Sequence, residues 1–187
     1  MKIHPLALLA LFGVSRVLAA EVPLQIDKEH SHIEAEVKST LDNFSAKLTA
    51  YNATILADPA NQQIRSAQLK FRFADLNTGK EKRDDEMRHW EQIDQFPDCV
   101  YVLDALLPAA GSTFNARGKL TLHGVTKEIT FLVTLVFKSP DSCTIDAELP
   151  IDTRDYGLPI IRNFGLLKVN PVLQVKFHLE GHVGSGP

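Results

Sequence analysis

Two groups of histidines and carboxylates make the strongest claim to chemistry in this sequence. His30, His32, Glu34 and Glu36 recur at steps of two, and so do His178, Glu180 and His182. Residues two apart share a face of a strand. Each group would therefore line one edge, and imidazoles beside carboxylates can hold a divalent cation. The residues in between, Ile33, Ala35 and Val37, are apolar. The histidine face is thus read as the outer, wet side, where a resident metal is not expected.

Other reactive residues read more simply. His123 lies in a Leu-His-Gly turn, where an imidazole can bond neighbouring backbone or the Asp155 region and hold the turn. Arg83, Asp84, Asp85 and Glu86 form a charge cluster that could grip a ligand headgroup. The plainer reading is a solvated helix start, with acids near the positive end of the helix dipole. There is no Gly-x-Ser-x-Gly elbow, no phosphate loop and no cysteine beside a recognisable base, so nucleophilic catalysis has no candidate. No catalytic residue, metal ligand or cofactor is assigned. Cys99 and Cys143 read either as a disulfide or as two small apolar core residues.

The elements that carry these residues are mostly strands. From Ser31 onward apolar and polar residues alternate, the pattern of a strand with one buried face. A second run has Phe44, Ala46, Leu48 and Ala50 on one side and Ser45, Lys47, Thr49 and Tyr51 on the other. After the turn residues Asp58-Pro59-Ala60-Asn61, Ala67, Leu69, Phe71 and Phe73 oppose Gln68, Lys70 and Arg72. Further strands are expected from Cys99 to Leu103, Thr113 to Leu122, Glu128 to Phe137, Cys143 to Leu149 and Leu173 to Leu179. The stretch from Lys80 to Gln95 differs, with Met87, Trp90 and Ile93 at steps of three. That spacing predicts one short helix, ended by Phe96-Pro97.

At 187 residues the chain fits one domain. Residues 1–20 carry Lys2, an apolar run from Leu6 to Val14 and small residues at Val17 and Ala19. This is the pattern of a secretory signal peptide cleaved after Ala19 or Ala20, leaving residues 21–187 as the domain. The apolar run is too short for a stable span of a ~30 Å hydrocarbon core, and no stable membrane insertion is expected. Loss of Lys2 and Arg16 takes the formal net charge from −3 to −5. Without a dense basic block, nucleic acid is not an expected partner.

Many strands, short turns and one helix predict an all-β antiparallel barrel or sandwich. Its inward set begins with Ile33, Val37, Leu48, Leu69, Phe71 and Phe73. Tyr101, Phe114, Leu120, Leu122 and Phe131 continue it, and Val133, Leu135, Val175 and Phe177 complete it. A barrel of about eight strands either fills with its own side chains or holds one slender ligand, and periodicity leaves both open.

Several segments resemble the YceI-like family of periplasmic polyisoprenoid-binding proteins. Ile26-Asp27 with His30-Ser31-His32-Ile33 is similar to the family's opening strand, and Leu76-Asn77-Thr78-Gly79 with Arg83-Asp84 to its helix entry. Gly118 through Thr126, containing Leu122-His123-Gly124, is the most specific segment. Asp155-Tyr156-Gly157-Leu158 resembles the late aromatic turn, and Val175 through Gly181 the closing strand. The chain departs from the pattern at Met87-Arg88, where the family usually has His-Leu, at Thr153, where Arg is common, and at Ser39, where His is frequent.

The resemblance implies a lipocalin-like antiparallel β-barrel of about eight strands with one short helix. It implies an exported, periplasmic, non-enzymatic protein, secreted if the host has a single membrane. The inward residues named above would bind a long-chain isoprenoid or other amphiphilic lipid, the protein being monomer or homodimer. The rival expectations are a filled barrel acting through its surface, for which outward Leu132 and Val136 speak, and a metal-dependent enzyme.

Overall fold

A computed structural model describes residues 21–163 and 167–184; the expected signal peptide, residues 1–20, lies outside them. The alternating segments become strands β1 (Val22–Val37), β2 (Phe44–Leu48), β3 (Asn52–Asp58), β4 (Gln63–Arg72) and β5 (Leu76–Asn77). Helix α1 (Glu81–Glu91) follows. Then come β6 (Asp98–Pro108), β7 (Thr113–Leu122), β8 (Val125–Ser139), β9 (Ser142–Asp152), β10 (Arg162–Asn163), β11 (Leu167–Lys168) and β12 (Val172–Val183).

Eight of these strands close on themselves. The order β12-β9-β8-β7-β6-β4-β3-β1 is completed by antiparallel pairing of β1 with β12. Closure leaves no free edge along the wall. Of the barrel and the sandwich that alternation leaves open, the fold is the antiparallel barrel with one helix, as the family resemblance implies.

β1 is where the wall is least regular. Its first residues, Val22 to Leu24, pair with β3, and its last, Glu34 to Val37, pair with β2. Against β12 the register jumps between Asp27 and His32. The intervening residues bulge outward, and Asp27 ties the bulge by accepting from the backbone N–H of Glu29 (2.9 Å) and His30 (3.2 Å). Lys28 donates to the Tyr51 carbonyl at 3.0 Å, and the Glu180 N–H donates to Ser31 Oγ at 2.9 Å. His30 is therefore drawn out of the row that sequence spacing places with His32, Glu34 and Glu36.

The expected strand from Phe44 to Tyr51 ends early, at Leu48, and β3, a strand the alternation does not mark, follows it. At Thr49 the chain leaves β1, its backbone N–H and Oγ1 both donating to the Asp75 carbonyl (2.9 and 2.7 Å). β3 then crosses to the other half of β1. The helix is shorter than its predicted span, ending at Gln92, whose left-handed φ of 56° lets its N–H close on the carbonyls of Arg88 and His89.

The hairpin joining β7 and β8 has two residues, His123 (φ 48°) and Gly124 (φ 69°). Two positive φ values define the type I′ turn that suits the twist of a hairpin. A Cβ on Gly124 would lie 2.7 Å from the Phe96 ring, so glycine is required there by both conformation and space.

Two apolar clusters close the interior from its two ends. One joins Leu24, Ile55, Ile64, Leu135 and Leu179. The other joins Leu149, Ile151 and Tyr156, and Phe177 packs against both. Cys99 and Cys143 are buried free thiols. They lie at the starts of β6 and β9, which run antiparallel with two strands between them, so they sit at opposite ends and the disulfide alternative fails.

Candidate functional site

Between the two clusters the barrel encloses a cavity of about 230 Å³ with an almost wholly apolar surface. The sequence's inward set builds it. Ile33, Leu48, Leu69, Phe71, Phe73 and Tyr101 line one part of the wall. Leu120, Leu122, Phe131, Val133, Leu135, Val175 and Phe177 line the rest.

Two expected lining residues lie elsewhere. Val37 faces a second, smaller space. Phe114 packs against the first apolar cluster, beside Pro108 and Val133 at the far end of β7. Alternation alone assigns a face and says nothing of height along the barrel.

Aromatic rings organise the middle of the cavity. Tyr101 packs on Phe131 with centroids 5.7 Å apart, and Phe131 meets Phe177 edge to face at 6.3 Å. The Tyr101 ring reaches over Gly118, where a Cβ would stand 2.7 Å from the phenol oxygen and 2.3 Å from the Val102 carbonyl. That close approach explains the glycine in the Gly118 to Thr126 segment. Burial pushes the Tyr101 phenol up to about 12, and its hydroxyl has no hydrogen-bond partner among the described residues.

The second space, about 70 Å³, lies beneath α1. Its walls come from Phe44 and Ala46 on β2, Met87 and Trp90 on α1, and Pro159, Ile160 and Pro171 from the segments flanking β10 and β11. Trp90 Nε1 donates to the Pro159 carbonyl at 2.8 Å. Ala35, Phe73, Leu76, Leu122 and Leu173 line both spaces, so the two are neighbours with one shared wall.

Glu91, which sequence reading missed, has no exposed surface. One oxygen accepts from the His123 N–H at 3.0 Å; the other has no partner among the described residues. Burial without a cation holds the carboxyl up at about 7, with the His123 N–H pulling the other way. The signal was present, since Met87 and Glu91 are four apart and share a helix face. His123 Nδ1 lies 3.1 Å from the Tyr156 carbonyl, the turn-holding role expected of it.

Several of the other reactive residues are held in structural pairs. Glu36 binds Lys176 at 2.6 Å across the β1–β12 seam. His178 Nδ1 lies 2.6 Å from Asp146 and its ring stacks on His32 with centroids 5.6 Å apart, and Glu180 pairs with Lys138 at 2.8 Å. In the charged helix start, Asp84 accepts from the N–H and hydroxyl of Thr78 (2.9 and 2.7 Å). Arg83 lies over the Phe44 ring at 4.0 Å. Among the described residues no group of three or more His, Cys, Asp or Glu could hold a metal ion, and no helix is long and apolar enough to cross a membrane.

Comparison with known proteins agrees with this architecture. The model of the YceI-like domain matches residues 24–181. A UPF0312 protein of Pseudomonas fluorescens is 25% identical over 159 residues, covering 80% of this chain and 82% of that one. The crystal structure of Burkholderia cenocepacia BcnA superposes with a TM-score of 0.73 at 25% identity, covering 83% of this chain and 99% of that one. A polyisoprenoid binding domain from Saccharophagus degradans, implicated in plant cell wall breakdown, superposes at 0.70 with 18% identity, covering 87% and 99%. With the family match running from β1 to β12, the chain belongs to the YceI-like family.

Proposed function

We propose that this protein is a non-enzymatic carrier that binds a polyisoprenoid, or a similarly long apolar lipid, inside its barrel, to move or store it. The observation that carries the reading is the apolar cavity of about 230 Å³ within a closed wall. A prenyl chain offers only hydrocarbon surface, and each buried CH₂ contributes about 0.8 kcal/mol. An aliphatic and aromatic tunnel therefore suffices for affinity. The described polyisoprenoid-binding neighbour shares the barrel, which supports the same ligand class here. The pattern of residues 1–20 supports export, and together with the family it supports the periplasm as the destination, or secretion from a single-membrane host.

The test is mass spectrometry of an organic extract from protein purified after export from its native host. A near-stoichiometric isoprenoid supports the carrier and names the ligand. An empty extract from well-folded protein overturns it. The intact mass of the same sample reads whether cleavage follows Ala19 or Ala20.

A further inference from the structure

The neighbouring spaces differ in what frames them. The larger lies within the closed wall, while the smaller has β2, α1 and the segments around β10 and β11 as its walls. The smaller space is also apolar, and the polar groups at its edge are engaged elsewhere. The Thr153 hydroxyl donates to the Pro171 carbonyl at 3.1 Å, and Asn170 Oδ1 accepts from the Val172 N–H at 3.0 Å. The rest of its described lining is apolar, which suits hydrocarbon better than a headgroup.

We infer that the lipid site continues past the barrel into this chamber beneath α1, and that the chamber seats the terminal isoprene unit of the bound chain. The inference rests on the carrier reading and adds to it a residue set that measures chain length. Volume supports the match. At roughly 10–15 Å³ for each water-sized group, the larger cavity of about 230 Å³ takes three to four isoprene units of about five groups each. On the same scale the chamber of about 70 Å³ takes one. Phe73, Leu76, Leu122 and Leu173 stand at the shared wall, and Ala46 and Met87 set the depth beyond it.

The probes are farnesol, geranylgeraniol, geranylfarnesol and hexaprenol, of three to six units, which share a hydroxyl head and differ by one unit each. Binding to the full mature protein is measured by displacement of a fluorescent fatty-acid analogue. In the wild type, affinity is expected to rise at each step until the chamber is filled, with about tenfold or more for the last unit seated. Ala46→Leu grows a side chain into the chamber and should end the rise one unit earlier. Met87→Ala deepens the chamber and should extend the rise by up to one unit. Earlier steps, seated in the barrel, stay unchanged in both.

The two variants move in opposite directions, so a general loss of packing cannot imitate the pair. Circular dichroism melting confirms folding of each, and either folded variant alone decides the direction. The same length dependence in wild type and a folded variant overturns the chamber while leaving the carrier intact. Failure of the folded wild type to bind any of the four alcohols overturns the carrier reading and the chamber with it.

Discussion

The two faces of the β1–β12 seam carry different chemistry from the same residues in alternation. Outward stand His32, Glu36, Lys176 and His178, joined across the strands by ion pairs and ring stacking. Inward stand Ile33, Ala35, Val175 and Phe177, which make no polar contact and line the cavity. The residues best suited to chemistry hold the wall together, while the chemically inert ones line the cavity. The comparison teaches that reactive side chains indicate a site only when the fold gathers them in a concave, water-poor place.

The hardest way to break this division is to put a charge on the inner face. Phe131→Glu is expected to cost on the order of 4 kcal/mol in chemical denaturation and to abolish lipid binding, because no counter-charge is available in an apolar lining. Retained affinity in a folded variant would contradict the placement of Phe131. Gly124→Val acts at the rim, forcing a β-branched residue into φ 69° against the Phe96 ring. A loss of about 2–3 kcal/mol is expected, and wild-type melting would remove the argument for that turn.

Glu91 sharpens the comparison because it is an ionisable side chain buried on α1, against the His123 N–H. Its folded pKa of about 7 lies above the ordinary carboxylate value of 4.5. The folded protein thus binds the proton more tightly, and the associated stability is present below about pH 4.5 and lost as pH rises through 7. Glu91→Gln keeps the contact with the His123 N–H without the charge. It should stabilise the protein on the order of 2–3 kcal/mol at pH 8 and little at pH 4. Equal melting of the variant and wild type at both pH values would show that Glu91 keeps its charge at no cost.

The smallest effects belong outside. Glu36→Gln removes the seam's ion pair with Lys176, whose partners are both part exposed, and exposed pairs contribute little. Melting close to wild type and unchanged lipid affinity are expected. A loss of lipid binding in that variant would mean that the outer face reaches the site.

Much of this division was legible before the structure. Phe71, Phe131 and Phe177 are inward because strand side chains alternate, and Leu122-His123-Gly124 reads as a turn because glycine accepts a positive φ. What stayed hidden depends on pairing partners. Ala50-Tyr51-Asn52 contains neither Gly nor Pro, so the break between β2 and β3 left no local mark; it is fixed by Thr49 bonding to Asp75. The bulge that removes His30 from its row is set by the register of β12, far along the chain. The chamber beneath α1 draws on β2, the helix and the segments near β10, and no local spacing rule joins these segments.

The pairing of β1 with β12 also orders events in time. Leu24 lies opposite Val183, so the wall cannot close until the last strand has been made and has found the first. Closure of so long a loop is slow compared with forming the hairpins between, which pair near neighbours. The cavity therefore comes into being at the end of folding. Before that moment the chain presents an open, curved sheet and no enclosed space.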